Sequence, residues 1–169
     1  TDPSQPLVGS WVSPCLPVED AFYDKYLLVI GETTWSMVAT KYDDSECEDT
    51  VMSLRGFGEA TYQVTEDKQV WHGDVTVEDF VITPLKDYVA SSYNDKEFCS
   101  LTTWQVGKEQ SVAGDQCGPD YLPHPGDIQY EAFKLMGNKI YLGVNDEDHH
   151  GTSPDTRPEE FVAEPLSRK

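Results

Sequence analysis

Two stretches of this chain gather enough carboxylates and imidazoles to do chemistry. The denser is Asn145-Asp146-Glu147-Asp148-His149-His150. Carboxylate oxygens suit calcium, and neighbouring imidazoles suit a transition metal. The spacing is not that of a calcium loop, which alternates its ligands and ends on a distant glutamate. Adjacent side chains on extended backbone also point to opposite sides. The second stretch crowds Asp43, Asp44, Glu46, Glu48 and Asp49 around one turn. That much charge keeps a hairpin end hydrated as readily as it binds a cation. Both stretches read as solvated loops, and no metal or other cofactor is expected.

Signals for covalent or hydrolytic catalysis are weak. There is no Gly-x-Ser-x-Gly nucleophile turn and no His-Glu-x-x-His helix. The histidines are His72, His124, His149 and His150, and only His72, beside Trp71, lies in a strand-like run. Glu78 and Asp79 are neighbours on opposite faces of a strand, so they cannot flank one glycosidic bond. The expectation is a non-enzyme with no catalytic residue. A hydrolase or isomerase remains an alternative, because residues distant in sequence can meet in space.

Aromatic residues give the better lead. Tyr26, Trp35, Phe57, Tyr62, Trp71, Phe80, Tyr130 and Phe133 all occupy strand-like runs. Some must form ordinary core. Trp35, Met37, Tyr62 and Tyr130 alternate with polar neighbours, so each is expected on a buried face and at the wall of an apolar pocket. The expected ligand is small and apolar or amphipathic.

The elements that would position these residues are short strands. Asp24 to Ile30 and Thr33 to Tyr42 flank a tight turn at Gly31-Glu32 and read as a hairpin. Thr50 to Arg55 meets Gly56-Phe57-Gly58, a bulge or bend, before Ala60 to Val64. Gln69 to His72 and Asp74 to Thr83 continue the series, with Val75, Val77 and Val81 set against Thr76, Glu78 and Phe80. Tyr88 to Ser92 is a further strand candidate, and Phe98 to Val106 reads as strand or short helix. Residues 114–126 are loop, from their Gly and Pro density. Ile128 to Met136 and Lys139 to Val144 form a hairpin around Gly137-Asn138, and a last strand spans Phe161 to Leu166. About eight to ten strands at this spacing, with no long helical period, mean a single all-β antiparallel barrel or sandwich, and the glycine bend favours the barrel.

The chain has 169 residues, which fits one domain. Residues 1–6 read as a polar tether, 7–166 as the barrel and 167–169 as a tail. Net charge is −19, from 31 acidic and 12 basic residues. Such a surface repels nucleic acid and anionic lipid alike; it would attract a cationic partner. Four cysteines without a Cys-x-x-Cys spacing read as two disulfides, with three pairings open. No run approaches the ~20 apolar residues of a membrane helix. Disulfides point to export, so an export signal, and with it a lipid-anchor cysteine, is expected to have preceded Thr1. That anchor is the one membrane link expected.

Val8-Gly9-Ser10-Trp11 before the first strand resembles the Gly-x-Trp opening of the lipocalin and calycin superfamily. Gly9-Ser10-Trp11, Cys15 and then Tyr42-Asp43-Asp44-Ser45-Glu46-Cys47 resemble a group of small secreted bacterial lipoproteins of unassigned function. So do the stretch from Phe133 to Gly143 and the tail from Ser153-Pro154 to Arg157-Pro158. More distantly, the first half is similar to the extracellular domain of the adenomatosis polyposis coli down-regulated 1 protein, a family of lipid-binding barrels. The resemblance implies a lipocalin-like barrel with disulfides Cys15–Cys47 and Cys99–Cys117. It also implies a basic residue covering the opening Trp, for which Arg157 and Arg168 are candidates. The expected location is the periplasm, the outer membrane or the cell exterior. The leading functional alternative is a filled barrel that binds a protein or envelope component through its acidic surface.

Overall fold

The computed structural model describes residues 6–169. Most of the expected tether therefore lies outside the described residues. The strands are β1 (Gly9–Val12), β2 (Leu16–Pro17), β3 (Tyr23–Ile30), β4 (Thr34–Tyr42), β5 (Thr50–Val64), β6 (Val70–Pro84), β7 (Gln110–Ser111), β8 (Gln116–Cys117), β9 (Asp120–Tyr121), β10 (Ile128–Met136), β11 (Lys139–Leu142) and β12 (Leu166–Arg168). One helix, α1, spans Asp87–Asp95.

Eight of these strands close into an antiparallel barrel, in the order β1-β3-β4-β5-β6-β10-β11-β12 and back to β1. β1 is the closing piece, because it pairs with β3 on one edge and with β12 on the other. Closure leaves no sheet edge free for unwanted pairing. Short β2 and β7 add to β3 and β6, and β8–β9 form a separate ribbon.

Alternation decides what fills the barrel. Trp11 pairs with Leu28, Leu28 with Met37 and Met37 with Gly56, so one inward row crosses four strands. Trp11, Leu28, Ile30, Trp35, Trp71, Val75, Phe133 and Ile140 form one buried cluster. An indole the size of Trp11 removes roughly 150–250 Å² from water, worth on the order of 4–6 kcal/mol before ordering costs.

The glycine bend is a β-bulge. Phe57 faces Asp79 while Gly58 faces Val77, so Glu78 is the extra residue. A Cβ on Gly58 would run into the Thr76 carbonyl, which explains the glycine. The strands do not break there: β5 and β6 each continue for 15 residues. The bulge reverses the phase of β6. Phe80 and Ile82 therefore share a core with Val77, whereas the expected alternation set Phe80 against Val77 and grouped Val81 with it.

Beyond the bulge the β5–β6 hairpin enters a second core, built with Ala90, Cys99, Trp104, Val112 and Cys117. Tyr88 to Ser92 is helical rather than extended. Local strand preference yields to packing, because one helical face lays Ala90 and Tyr93 toward this core. The ambiguous stretch after Phe98 is a single 3₁₀ turn followed by irregular chain. Asn94 holds it, accepting the Trp104 N–H at 2.7 Å and donating to the Trp104 carbonyl at 3.0 Å. The Trp104 indole N–H donates to the Phe98 carbonyl at 3.1 Å.

Both disulfides implied by the resemblance are present. Cys15–Cys47 ties the start of the chain to the β4–β5 turn, and Cys99–Cys117 ties the second core. The last strand differs from expectation. Phe161 makes only a single bridge, to Gly143, and the closing strand is Leu166–Arg168. Pro165 has no N–H to give a ladder, so regular pairing starts after it. Residues expected as a tail are therefore part of the barrel wall.

Candidate functional site

The inner wall of the barrel carries three of the four residues expected at a ligand site. Trp35 lies at the β4 end of that wall, 8% exposed, within the Trp11–Trp71–Phe133 cluster. Met37 follows two residues on, between Leu28 and Gly56, and keeps part of its surface accessible. Tyr62 on β5 packs against the same cluster, and its hydroxyl donates to the Thr34 carbonyl at 2.7 Å. Burial holds this phenol far above its ordinary pKa, so it acts as a neutral donor. These three expected residues meet on one wall.

Tyr130 does not join them. It pairs with Asp74, whereas its neighbour Glu131 pairs with Gly73. A Cβ on Gly73 would lie 2.8 Å from Phe133 Cε2 and 3.3 Å from the Tyr62 ring, so the Gly73–Glu131 pair faces inward. Tyr130 therefore faces outward, where the Arg157 guanidinium lies 5.2 Å from its ring centroid. The assumption that polar neighbours mark the outer face fails here, because Gln129 and Glu131 are the inward pair.

Glu131 is the residue that the aromatic pattern hides. It shares the inner face with Phe133, two residues along β10, and with Tyr62, across Gly73. Its carboxylate makes no hydrogen bond or ion pair among the described residues, yet part of the side chain remains accessible. Burial pushes its pKa above the usual carboxylate range, and the nearby Arg157 charge pulls only partly back. Arg157 is already committed. Its Nη1 donates to the Glu131 carbonyl at 2.9 Å and to the Gly73 carbonyl at 3.2 Å, and its Nη2 sits 2.6 Å from Asp74 Oδ1. The alternation Glu131-Ala132-Phe133 was the available signal for its placement.

The other inner-face acid is neutralised. Asp24 faces Lys41 across β3–β4 at 3.4 Å and accepts the Tyr26 hydroxyl at 3.3 Å. Burial and then Asp24 raise the Tyr26 phenol pKa. At the barrel seam, Arg168 stacks over Trp11 with 4.2 Å to the ring centroid and donates to the Val8 and Pro6 carbonyls at 2.8 and 2.6 Å. Of the two candidates for covering the opening Trp, Arg168 does so and Arg157 covers Tyr130.

The acidic stretches serve their own loops. Asp44 accepts the backbone N–H groups of Glu48 and Asp49, and Lys86 reaches Asp49 at 2.5 Å and Asp43 at 3.8 Å. Asp146 accepts the N–H groups of Asp148 and His149 and pairs with His149 Nδ1 at 3.0 Å. That side-chain bond raises the His149 pKa and lowers that of Asp146. Among the described residues, no three His, Cys, Asp or Glu side chains group to hold a metal ion. Asp79 binds the Ser111 hydroxyl at 2.6 Å and its next backbone N–H at 2.8 Å, which fastens the bulge to β7. His72 points outward; burial and then Arg157 lower its pKa. It lies with Thr61, Tyr62, Gln63, Asp74 and Arg157 along an open polar groove of about 310 Å³. No helix among the described residues is long and apolar enough to cross a membrane.

The chain matches no protein-family model, and no curated protein matches it in sequence.

Proposed function

We propose that this protein is a lipocalin-like carrier, exported and non-catalytic, that takes a small apolar or amphipathic molecule into its barrel. One observation carries the reading. Met37, Tyr62 and Glu131 share the inner face with buried Trp35, and none of the three is fully buried. A ligand covering that surface would gain about 25 cal/mol per Å² of apolar area, less its ordering cost. Two disulfides fit an oxidising compartment, which supports export. The test is native mass spectrometry of protein purified without detergent, followed by extraction and lipid analysis. A co-purifying small molecule, lost in Trp35→Ala or Tyr62→Ala, is the expected result.

A second reading draws on the packing. Trp11, Trp35, Trp71 and Phe133 fill one end of the barrel as a single cluster. A barrel filled throughout would instead act by its surface, whose −19 charge suits a cationic protein or envelope component. A clean apo mass, with no thermal stabilisation by any member of a lipid panel, selects this reading over the first.

A further inference from the structure

Resting on the carrier reading, we infer that the barrel selects a cationic amphiphile, an apolar body bearing a protonated amine that seats against the Glu131 carboxylate on the inner face that also carries the Tyr62 ring. The row Tyr62–Gly73–Glu131 crosses β5, β6 and β10, with Phe133 two residues from Glu131 on the same face. The two ring centroids are 6.4 Å apart and inclined at 55°. A carboxylate sharing a face with a partly accessible tyrosine ring is chemistry that recognises ammonium, by Coulomb attraction and by the ring quadrupole. The Tyr62 hydroxyl is turned away to Thr34, which leaves the ring itself as the contact surface.

Charge bookkeeping on the inner face excludes the opposite headgroup. Lys41 is held by Asp24. Arg157 is held outside by two carbonyls and Asp74. Arg168 is held over Trp11 by two more carbonyls. An acyl carboxylate would therefore meet an unpaired carboxyl and no available cation. An amine meets a carboxyl already partly desolvated on folding, so pairing recovers Coulomb energy at reduced further cost. The surrounding net charge of −19 adds attraction at long range.

The experiment uses the full disulfide-bonded chain at pH 7 and three probes with one tail: dodecylamine, dodecanol and dodecanoate. Each is titrated below its micelle concentration by calorimetry and tryptophan fluorescence. Dodecylamine is expected to bind at 1:1 at least tenfold tighter than dodecanol, with dodecanoate weakest. Glu131→Gln, which keeps the side-chain shape, is expected to bring the amine down to the alcohol and leave the alcohol unchanged. Equal binding of all three probes overturns the inference and leaves the carrier reading standing. An amine preference that survives Glu131→Gln overturns it too, because the acidic surface then accounts for the preference. Failure of every probe to bind sinks the carrier reading and the inference with it.

Discussion

Arg168 is expected to hold the barrel shut, and the size of its effect follows from its contacts. Its guanidinium makes two hydrogen bonds to the Val8 and Pro6 carbonyls and one cation–π contact with Trp11. The side chain is exposed, so each hydrogen bond is worth about 0.5–1 kcal/mol rather than the larger figure for buried charged donors. The cation–π contact adds about 0.5–1 kcal/mol at such a site. Arg168→Ala should therefore cost roughly 1.5–3 kcal/mol, which for a chain of this length lowers Tm by about 3–12 °C. Arg168→Lys keeps the charge but loses the planar fork, so it should fall between the two. Hydrogen exchange should quicken first in β1 and β12, the strands that this residue joins.

Gly9 supplies an internal check. Its φ is +147°, and a Cβ there would lie 2.6 Å from Arg168 Nη1. Gly9→Ala should destabilise the wild-type chain through both backbone strain and this clash. In the Arg168→Ala background only the strain remains, so the double-mutant cycle should show coupling of about 0.5 kcal/mol or more. An Arg168→Ala protein that melts within 1 °C of the wild type, or a cycle without coupling, would refute the reasoning.

Removing the Cys99–Cys117 crosslink, which spans a sequence separation of 18, should cost about 3 kcal/mol on chain-entropy grounds. The loss should appear as faster hydrogen exchange in α1 and around Trp104, with the strands on the far side of the barrel protected as before. His149 should titrate by NMR above its ordinary value of 6.5, and Asp146→Asn should lower its midpoint. The raised His149 pKa means that its pairing favours the folded loop below pH 6.5 and fades as pH climbs through the folded value; an unmoved midpoint in Asp146→Asn contradicts the assignment. Glu131→Gln should raise Tm at pH 7. Because the folded Glu131 pKa lies above 4.5, the unfavourable contribution is absent below about pH 4 and grows as pH rises through the folded value. The gap between mutant and wild type should therefore close on acidification, and a pH-independent gap rules against a buried carboxyl.

Local sequence pattern carried some elements well and failed where distant chain decides. The β3–β4 and β10–β11 hairpins were legible, because period-two runs flank Gly31-Glu32 and Gly137-Asn138, and Gly137 takes the positive φ that its turn requires. Gly56-Phe57-Gly58 announced a bulge correctly. Its consequence for Phe80 and Val81 was missed, since one inserted residue reverses every side chain after it. β12 carried no signal of its own. Three residues cannot show a period, and Leu166–Arg168 is a strand because Gly9–Val12 and Lys139–Leu142 flank it. The same division holds at the site. Alternation within β4 and β5 places Trp35, Met37 and Tyr62 on the inner face, whereas on β10 it points Tyr130 inward and the structure turns it outward.

That error is informative about the site itself. Polar-out, apolar-in alternation assumes that a barrel interior is apolar, and on β10 the chain sets Gln129 and Glu131 inward and Tyr130 outward. Asp24 shows how this fold treats an inner carboxylate when structure alone is at stake: a lysine on the next strand and a tyrosine hydroxyl satisfy it. Glu131 has neither: Arg157 reaches only its carbonyl oxygen, from the outer wall. Glutamine at this position would remove the burden of an unpaired acid while keeping the side-chain shape. An unpaired carboxyl among aromatic rings lowers the stability of the empty protein, and it does so where a cationic guest would reverse the sign.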